Sequence, residues 1–143
     1  MSRFEDRLGH AFADPGLLEQ ALTHRSAADA RGGQLDSNER LEFLGDRVLG
    51  LVMAEWLIER FPGEREGDLT RRLSALVAWE TLAKVGEAIG LADSIRIPPG
   101  EARAGLRGRQ TVLADALEAV LGAVYRDGGL DAARGIIRRH WAA

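Results

Sequence analysis

Cysteine is absent from the 143 residues, which excludes a disulfide framework and any thiolate metal site and makes a reducing, cytoplasmic setting the simplest one. Long apolar runs are missing as well. The longest falls short of the ~18 residues that a membrane span needs, and the opening "MSRFEDRLGHAFADPG" lacks the cationic and then apolar pattern of a secretion signal, so a soluble chain with no membrane partner is expected. Nor is there an excess of positive charge. A formal net charge of -3 argues against wholesale nucleic-acid binding, because phosphates need cations, and any cations used that way must be local. Period-2 alternation, internal repeats and low-complexity tracts are not found. With 45% hydrophobic and 29% charged residues, one globular domain over residues 1–143 is the expectation.

What is present reads as helix after helix. Asp14 before Pro15 marks a helix start, with the Asp oxygen as cap and Pro in the first turn, and "GLLEQALTHRS" continues it with apolar residues at 17, 18, 21 and 22. "ADARGGQLD" reads as a loop. Asp36, three residues before Glu39, suggests a capping box for a helix that Pro62 and Gly63 stop. Residues 66–93 show helical spacing with a break near the middle, and 94–109 form the longest irregular segment. "QTVLADALEAVLGAVYRDGG" reads as helix then turn, and "LDAARGIIRRHW" as a last helix. The fold class expected is all-α.

Two of these helices carry acid where a core helix should not. In "NERLEFLGD", Glu39, Glu42 and Asp46 stand at i, i+3 and i+7, and at about 100° per residue they share one narrow stripe. In "VLADALEAVLGAVY" the only non-apolar positions are Asp115, Glu118 and Gly122. A helix apolar nearly all round is normally buried, which predicts burial of both its carboxylates and something positive among them. First-turn acids favour the positive end of the helix dipole, which accounts for Glu39 and Glu42 alone, though Asp46 lies too deep for it. Arginine partners for Asp115 and Glu118 are the other ordinary explanation. Against these stands a hard cation. Oxygen-only ligands suit Mg²⁺ or Mn²⁺ better than zinc, and such an ion makes hydrolysis of a phosphodiester a natural chemistry.

"NERLEFLGD" resembles the signature of ribonuclease III, the endoribonuclease specific for double-stranded RNA. "LGHAFADPGLLEQALTHRS", "FPGEREGDLTRRLSALV" and "TVLADALEAVLGAVYRDGG" are similar to the same family in the same order, so the resemblance covers roughly residues 4 to 137. It implies the all-helical, dimeric endonuclease fold, with a homodimer carrying a centre in each half. It also implies Mg²⁺-dependent hydrolysis (Mn²⁺ as substitute), short 3′ overhangs, processing of rRNA and mRNA precursors, and no organic cofactor. By the same resemblance the metal ligands fall on Glu42, Asp46, Asp115 and Glu118, with Asp46 and Glu118 central to catalysis and Glu39 and Glu66 as supporting carboxylates. The alternative is a non-catalytic module on this fold that binds double-stranded RNA or serves assembly. Bacterial members usually continue into a double-stranded-RNA-binding domain, and none follows "RRHWAA", so an endonuclease domain cut from a longer protein is expected.

The chain departs from the family pattern at Arg47, where a small residue is common, at "VAWET", and at Leu106 in "AGLRGR". Arg103, Arg107 and Arg109 read either as a solvated loop or as phosphate contacts, and the resemblance favours RNA binding. Phe43 projects from the signature helix on a face apart from the carboxylates. Spacing alone leaves it as a core residue or a partner surface, and the resemblance makes it the plug of the dimer interface. His10, His24 and His140 show no metal-ligand spacing, and His24 reads as a packing or capping residue. Trp56, Trp79 and Trp141 read as core or interface residues.

Overall fold

Ser2 opens the first helix, α1 (Arg3–Leu8), through a capping box in which the Glu5 N–H donates to the Ser2 hydroxyl and the Ser2 N–H to the Glu5 carboxylate, each at 3.2 Å. The computed structural model describes residues 2–30, 37–96 and 109–142. Helix α2 (Pro15–Leu22) starts as the sequence predicts, with Asp14 accepting from the Gly16 N–H at 3.0 Å. It stops earlier than predicted. The Thr23 hydroxyl donates back to the Glu19 carbonyl at 2.6 Å, and Thr23 forms an isolated parallel bridge with Arg96. A separate helix, α3 (Arg25–Ala30), then takes residues 28–30 from the expected loop. Asp36 lies outside the described residues.

Helix α4 (Glu39–Arg60) ends before Pro62, as expected. Asn38 caps it without a side-chain bond, and the Ser37 hydroxyl accepts the Glu39 N–H at 3.3 Å. Helices α5 (Glu66–Leu76) and α6 (Trp79–Ala88) divide at Val77, and a 3₁₀ turn (Leu91–Ser94) follows. The last helix, α7 (Gln110–His140), is two helices joined at a kink where Gly129 has φ 85°, a value other residues rarely adopt. The sequence reading of helix, turn and helix thus stands, with the turn reduced to that kink. Among the described residues there is no named strand.

The core is built round the first half of α7. From Val112 to Val124 every residue but Asp115 is buried, and each fully buried Leu or Val contributes roughly 1.5–3 kcal/mol over its exposed state. Helix α4 packs along α7, with α6 and α2 on other sides. The crossing of α4 and α7 is backbone on backbone: a Cβ at Gly45 would lie 1.7 Å from the Glu118 carbonyl oxygen, and one at Gly122 would lie 2.2 Å from that of Leu41. Further along, Arg134 to Glu55 (2.7 Å) and Arg138 to Glu59 (2.8 Å) tie the same two helices.

Asp127 closes the amino-terminal end over this frame. Its carboxylate accepts from the N–H groups of Ala13 (3.0 Å) and Asp14 (2.9 Å) and meets His10 Nε2 at 2.8 Å. Those bonds hold its carboxyl below the usual range although burial opposes them. Trp141 is buried, its indole N–H donating to the Leu76 carbonyl at 3.0 Å, and Trp56 packs against the core. Trp79 is exposed instead. Among the described residues no helix is long and apolar enough to cross a membrane.

Candidate metal centre

Gly45 and Gly122 determine which side chains meet. With no Cβ on either, the α4 and α7 backbones touch, and the carboxylates within two turns of them are drawn into a single cluster. Oxygens of Glu42, Asp115 and Glu118 all lie within 4.8 Å of one another. The Asp46 carboxyl lies near enough to Glu118, and that of Asp115 to Glu42, for each to disfavour its neighbour's charged form. Accordingly, burial, with the Asp46 carboxyl next in weight, pushes Glu118 up to about 9. Burial, followed by Asp115, Glu39 and Asp46, pushes Glu42 up to about 7. Asp115 is also raised by burial, against the opposing effects of Glu42, His24 and Arg25.

The expected burial holds for Glu118, which is 9% exposed, but not for Asp115, which is solvent-exposed at the mouth of the site. The alternative of arginine partners finds no support among the described residues, where no ion pair involves Glu42, Asp115 or Glu118. Asp46 has an exposed contact with Arg47 at 3.4 Å. Glu39 lies beside the cluster, and its carboxylate accepts from the Ser37 hydroxyl at 3.5 Å. Glu66 stands exposed at the start of α5, apart from the cluster. Like charges gathered in a half-buried place, on oxygen ligands alone and with no ion pair to Glu42, Asp115 or Glu118 among the described residues, fit a hard divalent cation.

A cleft of about 480 Å³ opens on Glu39, Glu42 and Asp115, and its remaining lining includes His24, Arg25, Asn38, Arg109 and Thr111. Of the three arginines singled out from the sequence, Arg109 is thus at the cleft, while Arg103 and Arg107 lie outside the described residues. His24 does cap α3, its Nδ1 accepting the Ser26 N–H at 3.2 Å, but it also lines the acidic cleft. Nothing in "ALTHRS" signals that second location, which follows from the bridge to Arg96. Phe43 is 65% exposed, with the Arg47 guanidinium 4.0 Å over its ring, and it lines a separate cleft of about 600 Å³ with Leu17, Leu41, Leu44 and Arg126.

The profile of the Ribonuclease-III-like family matches residues 14–143. Ribonuclease 3 of Dinoroseobacter shibae is 52% identical over 141 residues, covering 99% of this chain and 60% of the relative. That of Azorhizobium caulinodans is 48% identical over 137 residues, covering 96% and 58%. The chain therefore spans about 60% of the length of these relatives. A solved structure of the nuclease domain of ribonuclease III from Campylobacter jejuni, described for structural flexibility in a region involved in its dimer formation, superposes with a TM-score of 0.91 at 38% identity. It covers 97% of this chain and 94% of that one.

Proposed function

We propose, on the premise that the chain belongs to the ribonuclease III family, that it is a divalent-metal-dependent endoribonuclease hydrolysing double-stranded RNA. The observation that carries the reading is the meeting of Glu42, Asp115 and Glu118 within 4.8 Å, with no ion pair to any of them among the described residues. Together with Asp46 they would hold Mg²⁺, or Mn²⁺ in its place. Such an ion, when bound, lowers the pKa of its water and offsets charge on the phosphodiester oxygens.

The protein's own part is placement. Helices α4 and α7, in close backbone contact at Gly45 and Gly122, bring the carboxylates to one place. Glu118, protonated without a cation, gives up its proton when positive charge replaces it. Glu39, steadied by Ser37, faces the same cleft and supports the centre or the attacking water, and Glu66 supports the substrate from the exposed start of α5. Arg109 contacts phosphate at the cleft rim, and Arg103 and Arg107, close to it in sequence, serve the same role. Phe43 docks a second copy, so that two centres cut the two strands and leave short 3′ overhangs, in the cytoplasm and on rRNA and mRNA precursors.

The test is cleavage of an RNA duplex by the parent and Glu118→Gln with and without Mg²⁺, followed by gel electrophoresis. The parent should cut only with the ion, and the variant should be inactive while keeping its helicity and oligomeric state. Full-rate cleavage by Glu118→Gln overturns the site assignment. Duplex binding without cleavage by the parent would favour the non-catalytic module instead.

A further inference from the structure

Asn38 stands at the head of α4 and lines the cleft that opens on Glu39, Glu42 and Asp115, yet the reaction proposed above gives it no task. Its backbone is fully engaged. The N–H donates to the Thr23 carbonyl at 2.9 Å, and the carbonyl accepts from the Glu42 N–H at 2.8 Å. Its side chain is not engaged. An asparagine in this place ordinarily turns its side-chain oxygen onto an N–H of the first helical turn, which needs an extended backbone. At φ -75° and ψ -6° Asn38 is already helical, makes no such bond, and leaves the Glu39 N–H to the Ser37 hydroxyl.

Burial makes that idleness informative. Asn38 is only 5% exposed, and the other buried polar or charged residues among those described are Thr23, Ser37 and Glu118. The Thr23 hydroxyl bonds to the Glu19 carbonyl, the Ser37 hydroxyl bonds to Glu39, and Glu118 belongs to the acidic cluster. Asn38 alone of the four has a side chain with no partner among the described residues. A buried amide without a partner costs free energy, and native folds keep few of them.

A ligand that satisfies this amide has to come through the cleft that Asn38 lines. A carboxamide presents N–H donors beside an acceptor oxygen, whichever way round it is turned. A cation would satisfy the oxygen alone, and phosphate oxygens, which only accept, would satisfy the N–H alone. A nucleotide of RNA offers both at neighbouring atoms, since its 2′-hydroxyl can donate and the adjoining phosphodiester oxygen accepts. DNA lacks the first. A site built round a substrate hydroxyl rejects the analogue without it, because the site's own buried group is then left unpaired.

We propose that Asn38 is a specificity-determining residue that requires ribose at the nucleotide laid over Glu42, Asp115 and Glu118, its Oδ1 accepting from the 2′-hydroxyl and its Nδ2–H donating to the adjoining phosphodiester oxygen. This rests on the duplex-RNA reading above, and is tested by binding rather than turnover so that the two can fail separately. In a Glu118→Gln background with Mg²⁺ present, fluorescence anisotropy gives the affinity for a short RNA duplex and for the same duplex with fluorine in place of every 2′-hydroxyl. The fluorinated duplex keeps the helix shape and charge but has no hydrogen to donate. Asn38→Leu, of similar volume, should lower the preference for RNA over the fluorinated duplex about tenfold, the effect of one hydrogen bond and of the acceptor left unpaired without it. The salt dependence of binding should not change, because a neutral amide releases no counterion.

Two further measurements separate recognition from a role in the fold. Free of RNA, Asn38→Leu should melt no lower than the parent, since the amide it removes has no bond to lose. Asn38→Asp keeps the acceptor and should keep the preference, while binding both duplexes more weakly because its charge repels phosphate. An unchanged preference in Asn38→Leu, a marked fall in its melting temperature, or loss of the preference in Asn38→Asp overturns the proposal. A protein that shows the expected preference although the parent does not cleave loses the hydrolytic reading alone, and one that binds neither duplex loses both.

Discussion

Glu118 holds its proton far into the alkaline range because leaving water costs its charged form more than its neutral one and because Asp46 lies against it. Its folded-state pKa, about 9 against an ordinary 4.5, is raised, so between those values the folded chain binds a proton that the unfolded chain has released. Stability of the metal-free protein therefore falls as pH rises through that window, and Glu42 adds to the fall up to about 7. The melting temperature measured without metal should decline from pH 5 to 9. Glu118→Gln should flatten that decline and leave the metal-free fold no less stable, and saturating Mg²⁺ should flatten it too while raising the melting temperature with occupancy. Unfolding of Glu118→Gln, or a melting temperature that rises over this range, would mean that the carboxylate satisfies a cationic partner instead. The stripe of Glu39, Glu42 and Asp46 and the pair Asp115 and Glu118 are visible in sequence because helical period alone aligns them. The position of His24 is not, since it depends on a backbone hydrogen bond to Arg96, far away in sequence.

Helices α4 and α7 matter as a pair because their contact brings the carboxylates of one helix to those of the other. Gly45→Ala would place a methyl 1.7 Å from the Glu118 carbonyl oxygen and 2.9 Å from the Gly122 nitrogen, neither of which is the end of a flexible chain. Alanine improves helix propensity by about 1 kcal/mol, but prying two backbones apart costs about 2 kcal/mol or more, so the net effect is destabilising. Gly122→Ala, which meets the Leu41 carbonyl at 2.2 Å, should behave alike. Gly135→Ala is the control: it sits in α7 with nothing within 4 Å, and should stabilise by up to about 1 kcal/mol. Urea titration reads all three, and Mn²⁺ binding by electron paramagnetic resonance should weaken in the first two alone. Equal stability of Gly45→Ala and Gly135→Ala would refute the close crossing. Helix boundaries at Asp14–Pro15 and before Pro62 are legible because local chemistry enforces them. A glycine inside an apolar helix carries no mark of the neighbour it admits, and six residues are too few for periodicity to reveal α1 although Ser2 and Glu5 form its capping box. For the same reason the contact of Asp127 with the loop before α2 spans a separation that periodicity does not reach.

At the scale of the whole molecule, one face of α4 is exposed among the described residues. Phe43, Leu51 and Ile58 are all exposed large apolar residues of that helix, and spacings of eight and seven place them within about 80° of one another. A row of exposed apolar side chains of this kind, interrupted by Arg47, suits an interaction surface, and the proposed partner is a second copy. In a two-fold arrangement each copy offers both a Phe43 ring and the neighbouring cleft of about 600 Å³ lined by Leu17, Leu41, Leu44 and Arg126. Removing a buried aromatic side chain costs ~3 to 5 kcal/mol. Phe43→Ala should therefore dissociate the dimer by a factor of a hundred or more in Kd, about 1.4 kcal/mol being tenfold. Light scattering across a concentration series should find monomers where the parent is dimeric. Phe43 projects away from the carboxylate stripe and its carbon atoms bear no load in the monomer core, so the melting increment produced by Mg²⁺ should persist in the monomeric variant. Dimers that survive Phe43→Ala would place the interface elsewhere on the surface, and loss of the metal response together with the dimer would show that the second copy shapes the acidic centre itself.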